Sequence, residues 1–213
     1  MWKYKRIISL GIAMAVSAIL TWGLYRGEAV NVKMQETQEE LAENVFRFHV
    51  RANSDTKLDQ ELKLEVRDGI LSYMKEHMVD SAEAEETKVW AREHLSELEA
   101  EAEAIMRRNG YSYEARANVG IEAFPEKKYG DLTFPEGAYE SLSIELGTGE
   151  GQNWWCVLYP NLCFLDSVNA VVPEEGKEML EEELSEDAYE MVSTTSKFKV
   201  KWFFFGDGFA CNK

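Results

Sequence analysis

The residue types best suited to chemistry gather in one stretch, GTGEGQNWWCVLYPNLCF, residues 147–164. A glycine-rich run leads there into two tryptophans, an apolar segment, and Cys156 and Cys163, which are seven residues apart. Such a set could cradle a phosphate, hold a metal, present a reactive thiol, or staple a core strand with no chemistry at all. GTGEG lacks the lysine of a phosphate loop and runs into a strand pattern, so no helix N-terminus supplies amide donors. A hairpin turn fits it better, because glycine reaches the positive φ angles such turns need. His49, His77 and His94 are scattered, with no His-x-x-x-His or His-Glu-x-x-His arrangement. A C-x6-C pair is not a zinc-ribbon spacing, so Cys156, Cys163 and Cys211 make no metal set, and no metal or cofactor is expected. No G-x-S-x-G elbow occurs. The chain has 39 acids, so paired carboxylates are available anywhere, but abundance does not make a catalytic pair and solvated charge is the preferred reading.

The N-terminus sets the compartment. Lys3, Lys5 and Arg6 precede IISLGIAMAVSAILTWGLY, residues 7–25, which carries no charge. A segment of that length can just span a bilayer and is long for a signal-peptide core. Cations before it and acids after it predict that the N-terminus stays inside and the following domain is exported. Gly27 and Ala29 flank Glu28 in a small-x-small arrangement, so residues 1–29 read either as a cleaved signal peptide or as a retained membrane anchor. Export makes a Cys156–Cys163 disulfide the natural reading of the cysteine pair. Closing so short a loop gives about 2–2.5 kcal/mol in the chain-entropy model. Cys211 is left over as a free thiol.

The 213 residues carry a formal net charge of −16. Residues 1–30 hold four cations and one anion, so the remainder stands at −19. A domain this acidic repels polyphosphates, which argues against nucleic-acid binding.

The elements that must position the 147–164 stretch follow from pattern. Residues 30–44 are polar and acidic and read as a tether. VFRFHVRA alternates Phe46, Phe48, Val50 and Ala52 against Arg47, His49 and Arg51, the period of a half-buried strand. Thr56 and Asp59 form a capping-box pattern ahead of Leu58, Leu62, Val66, Ile70, Tyr73 and Met74, an amphipathic helix that Gly69 weakens by about 1 kcal/mol. A second helix is predicted from Asp80 and Ser81 to the Asn109-Gly110 stop. Alternation then gives a strand over 111–123 and, after a turn-rich connection, a third over 141–146. WWCVLY is apolar on both faces, as in a central strand. An acidic helix over 174–192 and a strand in KFKVKWFFF complete the pattern. The expected fold is α+β: a mostly antiparallel four- or five-stranded sheet, a long helical pair between its first and second strands, and an N-terminal signal or anchor helix. Residues 45–213 form one exported domain in this reading.

Chain direction places a surface. If the first strand rises to Ala52, the helical pair descends and returns, the second strand descends, and the third rises to GTGEGQN. Residues 53–56 and 147–153 then share one end of the domain. Arg51, Asn53, Ser54, Asp55 and Asn153 become partner-binding candidates there; alternatively, Asn53 and Asp55 merely cap the helix.

FRFHVRANSDTKLDQELKLEVRDGILSYM (46–74) and FPEKKYGDLTFPEGAYESLSIELGTGEGQNWWCVLYPNLCF (124–164), in that order, closely resemble the stage II sporulation protein R family of endospore-forming bacteria. The resemblance implies a signal protein made in the forespore and exported into the space between the two sporulation membranes. It also implies a partner, the membrane-embedded aspartic protease stage II sporulation protein GA, which processes the precursor of sigma factor E. Residues 166–213 match less clearly. Two other readings compete with a signalling ligand: a cell-wall hydrolase using paired carboxylates, and an inert envelope protein.

Overall fold

One six-residue strand, β1 (Phe46–Arg51), organises the domain. The computed structural model describes residues 2–78, 83–160, 162–164, 172 and 174–193; of residues 2–10, 30, 31, 164, 174 and 175 it describes the backbone alone. Ahead of β1 runs a single helix, α1 (Trp2–Asn44). After β1 come α2 (Lys57–His77), α3 (Ala84–Glu93) and α4 (Leu95–Arg108), then β2 (Ala115–Phe124). A small hairpin, β3 (Lys127–Tyr129) and β4 (Leu132–Phe134), precedes β5 (Gly137–Leu146) and β6 (Asn153–Tyr159). A 3-10 turn (Leu162–Phe164), α5 (Glu174–Glu183) and α6 (Glu186–Ser193) follow.

The fold is α+β, and its four-stranded sheet, in the order β2-β5-β1-β6, is mixed. β1 pairs parallel with β5, while β2–β5 and β1–β6 are antiparallel. The central pairing is therefore the parallel one, because the helices between β1 and β2 return the chain so that β5 rises alongside β1. WWCVLY was expected in the centre, yet β6 lies at one end of this order. Its two faces are both covered: Leu158 packs in one core cluster and Val157 in the other. Hydrophobic pattern reports faces, not the number of strand neighbours. The strand expected in KFKVKWFFF lies outside the described residues.

β1 has no solvent face. Phe46, Phe48 and Val50 sit in a cluster under α2 and α4, with Leu62, Val66, Ile70, Leu98 and Met106. Gly69 leaves room for the Ile105 side chain of α4, whose tip occupies the place a Cβ would take. Arg47 and His49, expected to face water, are both fully buried. The reason is a second layer, in which Leu41 of α1, Phe134 of β4, Leu180 of α5 and Val192 of α6 cluster with Phe124 and Tyr139. What resembled a strand with one wet face is a strand between two cores.

That second layer also corrects the tether. The end of α1 belongs to the domain: Leu41 is fully buried. Gln38 Nε2 donates to the Glu136 carbonyl (2.6 Å), Glu40 accepts from the Ser185 amide (2.7 Å) and hydroxyl (2.8 Å), and Lys33 pairs with Asp187 (2.8 Å). Lys88 of α3, itself buried, donates to the Glu43 carbonyl (2.8 Å). Of the apolar residues in this segment only Leu41 and Ala42 join the core, too few to show as a periodic face. Further along α1, Ile12, Met14, Val16, Ile19, Leu20, Trp22, Leu24 and Tyr25 are exposed. Among the described residues no helix is long and apolar enough to cross a membrane; the head of the apolar stretch, 7–10, lies outside the described side chains.

Smaller differences have local causes. The second helix is two, α3 and α4, meeting at His94, and its expected start at Asp80 and Ser81 lies outside the described residues. The acidic helix expected over 174–192 is likewise two, α5 and α6, which meet at Leu184–Ser185, and the Ser185 hydroxyl accepts from the Ala188 amide (3.3 Å) to start the second. Leu58, assigned to the apolar stripe, is 66% exposed because it falls in the first turn of α2, ahead of its covered face.

Among the described residues Arg47 has no carboxylate partner in the second layer. Its guanidinium carbon lies 4.6 Å from the ring centre of Phe124, 5.0 Å from Tyr139, 5.3 Å from Phe134 and 5.8 Å from Tyr129. Nε donates to the Cys156 carbonyl (3.1 Å) and Nη2 to the Tyr129 hydroxyl (3.3 Å), while among the described residues Nη1 is buried without a hydrogen bond. Burial pushes the Arg47 pKa below its ordinary value, and it pushes Tyr139 up to about 12. Ring faces replace the missing anion, at about 2 kcal/mol or more for a desolvated contact. Arg47→Ala should therefore cost about 3 kcal/mol, through a cavity and two orphaned acceptors. Arg47→Met, which keeps volume and removes the buried charge, should cost less than about 1.5 kcal/mol. Urea unfolding of the two variants checks the order; equal losses would show that the charge itself is what matters.

Candidate functional site

The end of β1 is crossed by another segment, and the crossing is dictated by topology. β5 and β6 flank β1, so the connection between them, residues 147–152, must pass over the point where β1 finishes. GTGEG is therefore not a hairpin turn between paired neighbours, as expected from the sequence, but a bridge over a third strand. Gly147 and Gly149 have φ of +60° and +64°. A Cβ on Gly151 would meet Ala52 Cβ at 2.9 Å and the Ser54 carbonyl closer still.

The residues after β1 hold this bridge down. Asn53 Oδ1 accepts from the Thr148 amide (3.0 Å), and its carbonyl accepts from the Thr148 hydroxyl (3.0 Å) and the Glu150 amide (3.3 Å). The Ala52 carbonyl accepts from the Gly151 amide (2.8 Å), and Asp55 Oδ1 from the Gln152 amide (2.8 Å). Lys63 Nζ donates to the Gln152 carbonyl (3.0 Å). Arg51 pairs with Glu145 (2.8 Å) and donates through Nε to Asn153 Oδ1 (3.2 Å). All five residues singled out in the sequence, Arg51, Asn53, Ser54, Asp55 and Asn153, thus meet at one end of the sheet. Asn53 and Asp55 hold the loop rather than cap the helix; the N-cap is Thr56, whose hydroxyl accepts from the Asp59 amide (3.3 Å).

Asp59, on the first turn of α2, is the hub of the arrangement. The capping-box pattern assigned its carboxylate to the helix backbone, but it accepts instead from Ser54 Oγ (2.5 Å), Asn53 Nδ2 (3.1 Å) and the Tyr113 hydroxyl (3.0 Å). Side-chain donors from a strand exit and from the chain approaching β2 outcompete the local amide. Burial pushes the Asp59 carboxyl up, and hydrogen bonds from Ser54, Asn53, Tyr113 and Thr56 outweigh it, holding the group below its ordinary value. Burial and Asp59 together raise Tyr113. Asp59, Lys63, Tyr113 and Thr148 were missed in the sequence; only Asp59 carried a signal there, and it pointed to a different partner.

The remaining chemistry candidates are in structural places. His77 and His94 each contact a backbone carbonyl four residues back (2.8 Å in both), stacked on Tyr73 and Trp90. Cys156 and Cys163 are joined as a disulfide, Cα–Cα 5.6 Å, which ties β6 to the 3-10 turn. Cys211 lies outside the described residues. Among the described residues no three His, Cys, Asp or Glu side chains are placed to hold a metal ion. A cleft of about 300 Å³ lined by Glu85, Glu86, Val89, Trp90 and Glu93 sits on α3 and shares no residue with the loop end.

Residues 42–169 match the family model described as stage II sporulation protein R. The chain is similar to stage II sporulation protein R of Bacillus subtilis (strain 168), with 33% identity over 199 residues, 92% of this chain and 88% of the relative. No solved structure matches.

Two outcomes follow from this site. Because the folded-state pKa of Asp59 is depressed, its stabilisation is complete above the ordinary carboxylate value of about 3.9 and fades as pH falls through the lower folded value. Asp59→Asn should flatten the acid limb of a stability-against-pH curve; an unchanged limb would remove Asp59 from its role as hub. For the cysteines, mass spectrometry of the protein without reduction should show the peptide spanning Cys156 and Cys163 lighter by two hydrogens, and two free thiols would refute the pairing.

Proposed function

The chain belongs to the stage II sporulation protein R family, and we propose that within sporulation it is an exported signal that acts by contact rather than by catalysis. In this reading the domain is delivered across the cytoplasmic membrane into the space between forespore and mother cell. If the leader is kept, the domain is anchored and faces that space. There it activates the membrane-embedded aspartic protease stage II sporulation protein GA, which processes the precursor of sigma factor E. The basic flank of the apolar N-terminal stretch supports delivery, and the exposed apolar side chains of α1 between Ile12 and Tyr25 are consistent with it.

One observation carries the choice of binding over catalysis. The polar side chains gathered at the loop end are engaged in hydrogen bonds to backbone and to each other, and what they produce is a fixed loop with Thr148, Glu150 and Gln152 exposed. A loop ordered in advance loses less conformational freedom on binding, which is how rigid scaffolds make recognition surfaces. Arg51, Asn53, Ser54, Asp55 and Asn153 shape that surface mainly from beneath, and Asp55 reaches its exposed rim.

Co-expression of the full chain with the protease and the sigma factor precursor tests the reading. Processing should require the chain together with its leader. Glu150→Arg combined with Gln152→Arg, on exposed positions, should reduce processing about tenfold, as charge changes at a contact rim do, with an unchanged urea midpoint. Processing without the chain would overturn the function; full processing by the folded double variant would overturn the surface.

A further inference from the structure

Hydrogen-bond direction along β2 shows which of its backbone groups already have partners. β2 lies at one end of the sheet and, among the described residues, pairs with β5 alone, in unbroken register. In an antiparallel pair, alternate residues turn N–H and C=O toward the neighbouring strand, and those between turn theirs away. The Asn118 and Gly120 carbonyls accept from the Ser143 and Ser141 hydroxyls of β5 (3.3 and 3.5 Å), so the even-numbered residues face β5. The Ala117 amide instead donates to Glu99 Oε1 of α4 (2.9 Å), so the odd-numbered residues face outward. Glu99 thereby closes the outer edge at Ala117. Pro125 has no N–H and closes it at the other end. Between these stops, the outward groups of Val119, Ile121 and Ala123 meet no partner among the described residues.

This edge lacks common forms of protection. Edge strands are often kept single by a bulge, a proline or a lysine in mid-strand. β2 has no register shift, and its middle reads Val119-Gly120-Ile121. Ile121, at 78% exposure, is the most exposed large apolar side chain of the described residues, ahead of any on α1.

We propose that a second copy of this chain adds to this edge, with the two β2 strands antiparallel about a two-fold axis at Ile121. The two stops select that register. Outward residues must meet outward residues, and centring on Ile121 sets Val119 opposite Ala123 of the second copy. Ile121 then stands opposite its own equivalent. Each of these pairs exchanges two hydrogen bonds, so every open group between the stops is used. One step further along, the Ala117 amide already taken by Glu99 stands opposite Pro125, which offers no N–H. The ladder ends where both copies run out of donors. Centring on Val119 would instead require Ala117 to give up Glu99. One patch supplies both halves of such a contact, as two-fold symmetry demands. The side chains agree, because Ile121 meets its equivalent and Glu122 faces Gly120 rather than another acid.

Charge sets the strength. The chain carries a net charge of −16, so two copies repel, and a ladder this short belongs to the transient class of contacts. Salt screens the repulsion, with a Debye length of about 10 Å at 0.1 M, so the pairing strengthens as salt is raised. A cationic strand from another protein would bind the same edge with the opposite salt dependence. Because the two strands run antiparallel, the loop ends of the two copies point in opposite directions and both stay free. The pairing therefore stands apart from the protease reading, and either can fail without the other.

Amide hydrogen exchange of the full chain in uncharged detergent micelles, at low and high protein concentration, tests the proposal. The Val119, Ile121 and Ala123 amides should gain about tenfold protection as concentration rises, and more at higher salt. Asn118, Gly120 and Glu122, already bonded to β5, should not change. Ile121→Lys, at an exposed position, sets like charges opposite each other on the axis. It should remove the gain and leave the urea midpoint of dilute protein unchanged. Association without protection at the three outward amides would place the contact elsewhere, on α1 for instance, and overturn the proposal. Protection independent of concentration would mean that the same chain covers its own edge, and it would overturn the proposal too. So would the absence of any gain, or a gain that Ile121→Lys leaves intact. If Ile121→Lys fails to fold, the wild-type exchange pattern decides alone.

Discussion

A strand with no solvent face is the constraint on which this domain depends. β1 is held between β5 and β6 at its edges and between two apolar layers at its faces. A residue placed there must be apolar or must find compensation inside, because an unpaired buried polar group costs about 1–3 kcal/mol and a charge more. Phe46, Phe48 and Val50 meet the first condition. Arg47, His49 and Arg51 meet the second in part and in three different ways: aromatic faces around Arg47, the stacked Trp155 ring and the Asn153 amide oxygen at His49, and a partly exposed ion pair at Arg51. The remaining architecture supplies those partners. The β3–β4 hairpin contributes Tyr129 and Phe134 around Arg47, and the end of β2 contributes Glu122 and Phe124.

The same strand explains the loop. With β1 lying between them, β5 and β6 can be joined only over its end, and the crossing chain comes within hydrogen-bond distance of the Ala52 and Asn53 carbonyls. That closeness excludes a Cβ at Gly151, and the φ angles of Gly147 and Gly149 follow from the same path. Asn53, Asp55 and Lys63 then fix the amides and carbonyl that the sheet cannot pair. The glycines, the polar tetrapeptide NSDT and the first turn of α2 are consequences of one topological fact, and the rigid exposed loop is its by-product.

Much of this end was legible because chain direction alone places 53–56 beside 147–153, whatever the order of strands between them. Strand position was not legible. WWCVLY and VFRFHVRA carry patterns of burial, and burial by a helix layer looks the same in sequence as burial by a neighbouring strand. The alternation of Arg47 and His49 misled for a related reason: period two shows that two faces differ, and it does not show that one of them is wet. The layer that covers them comes from the end of α1, the hairpin and α5–α6, each too short or too acidic to read as core. Asp59 was legible as a residue of interest and illegible as a hub, since its partners Asn53, Ser54 and Tyr113 compete with the local backbone only once the fold brings Tyr113 near.

The continuity of α1 separates the fate of the proposed leader from the stability of the domain. Among the described residues, Lys33, Thr37, Gln38, Glu40, Leu41 and Glu43 fasten this helix to the domain, and these six lie beyond the small-x-small arrangement ending at Ala29. Cleavage there would leave every one of these contacts in place, including the fully buried Leu41. Retention would instead make the domain an extension of the apolar helix. At 1.5 Å per residue, the span from Arg26 to Leu41 is about 22 Å of continuous helix, so a held N-terminus would hold the domain close and in a fixed attitude. The two fates therefore differ in how far the loop end can travel, not in whether the loop is formed. The contact signalling proposed above works in either state, provided that a partner lies within reach of the shorter tether.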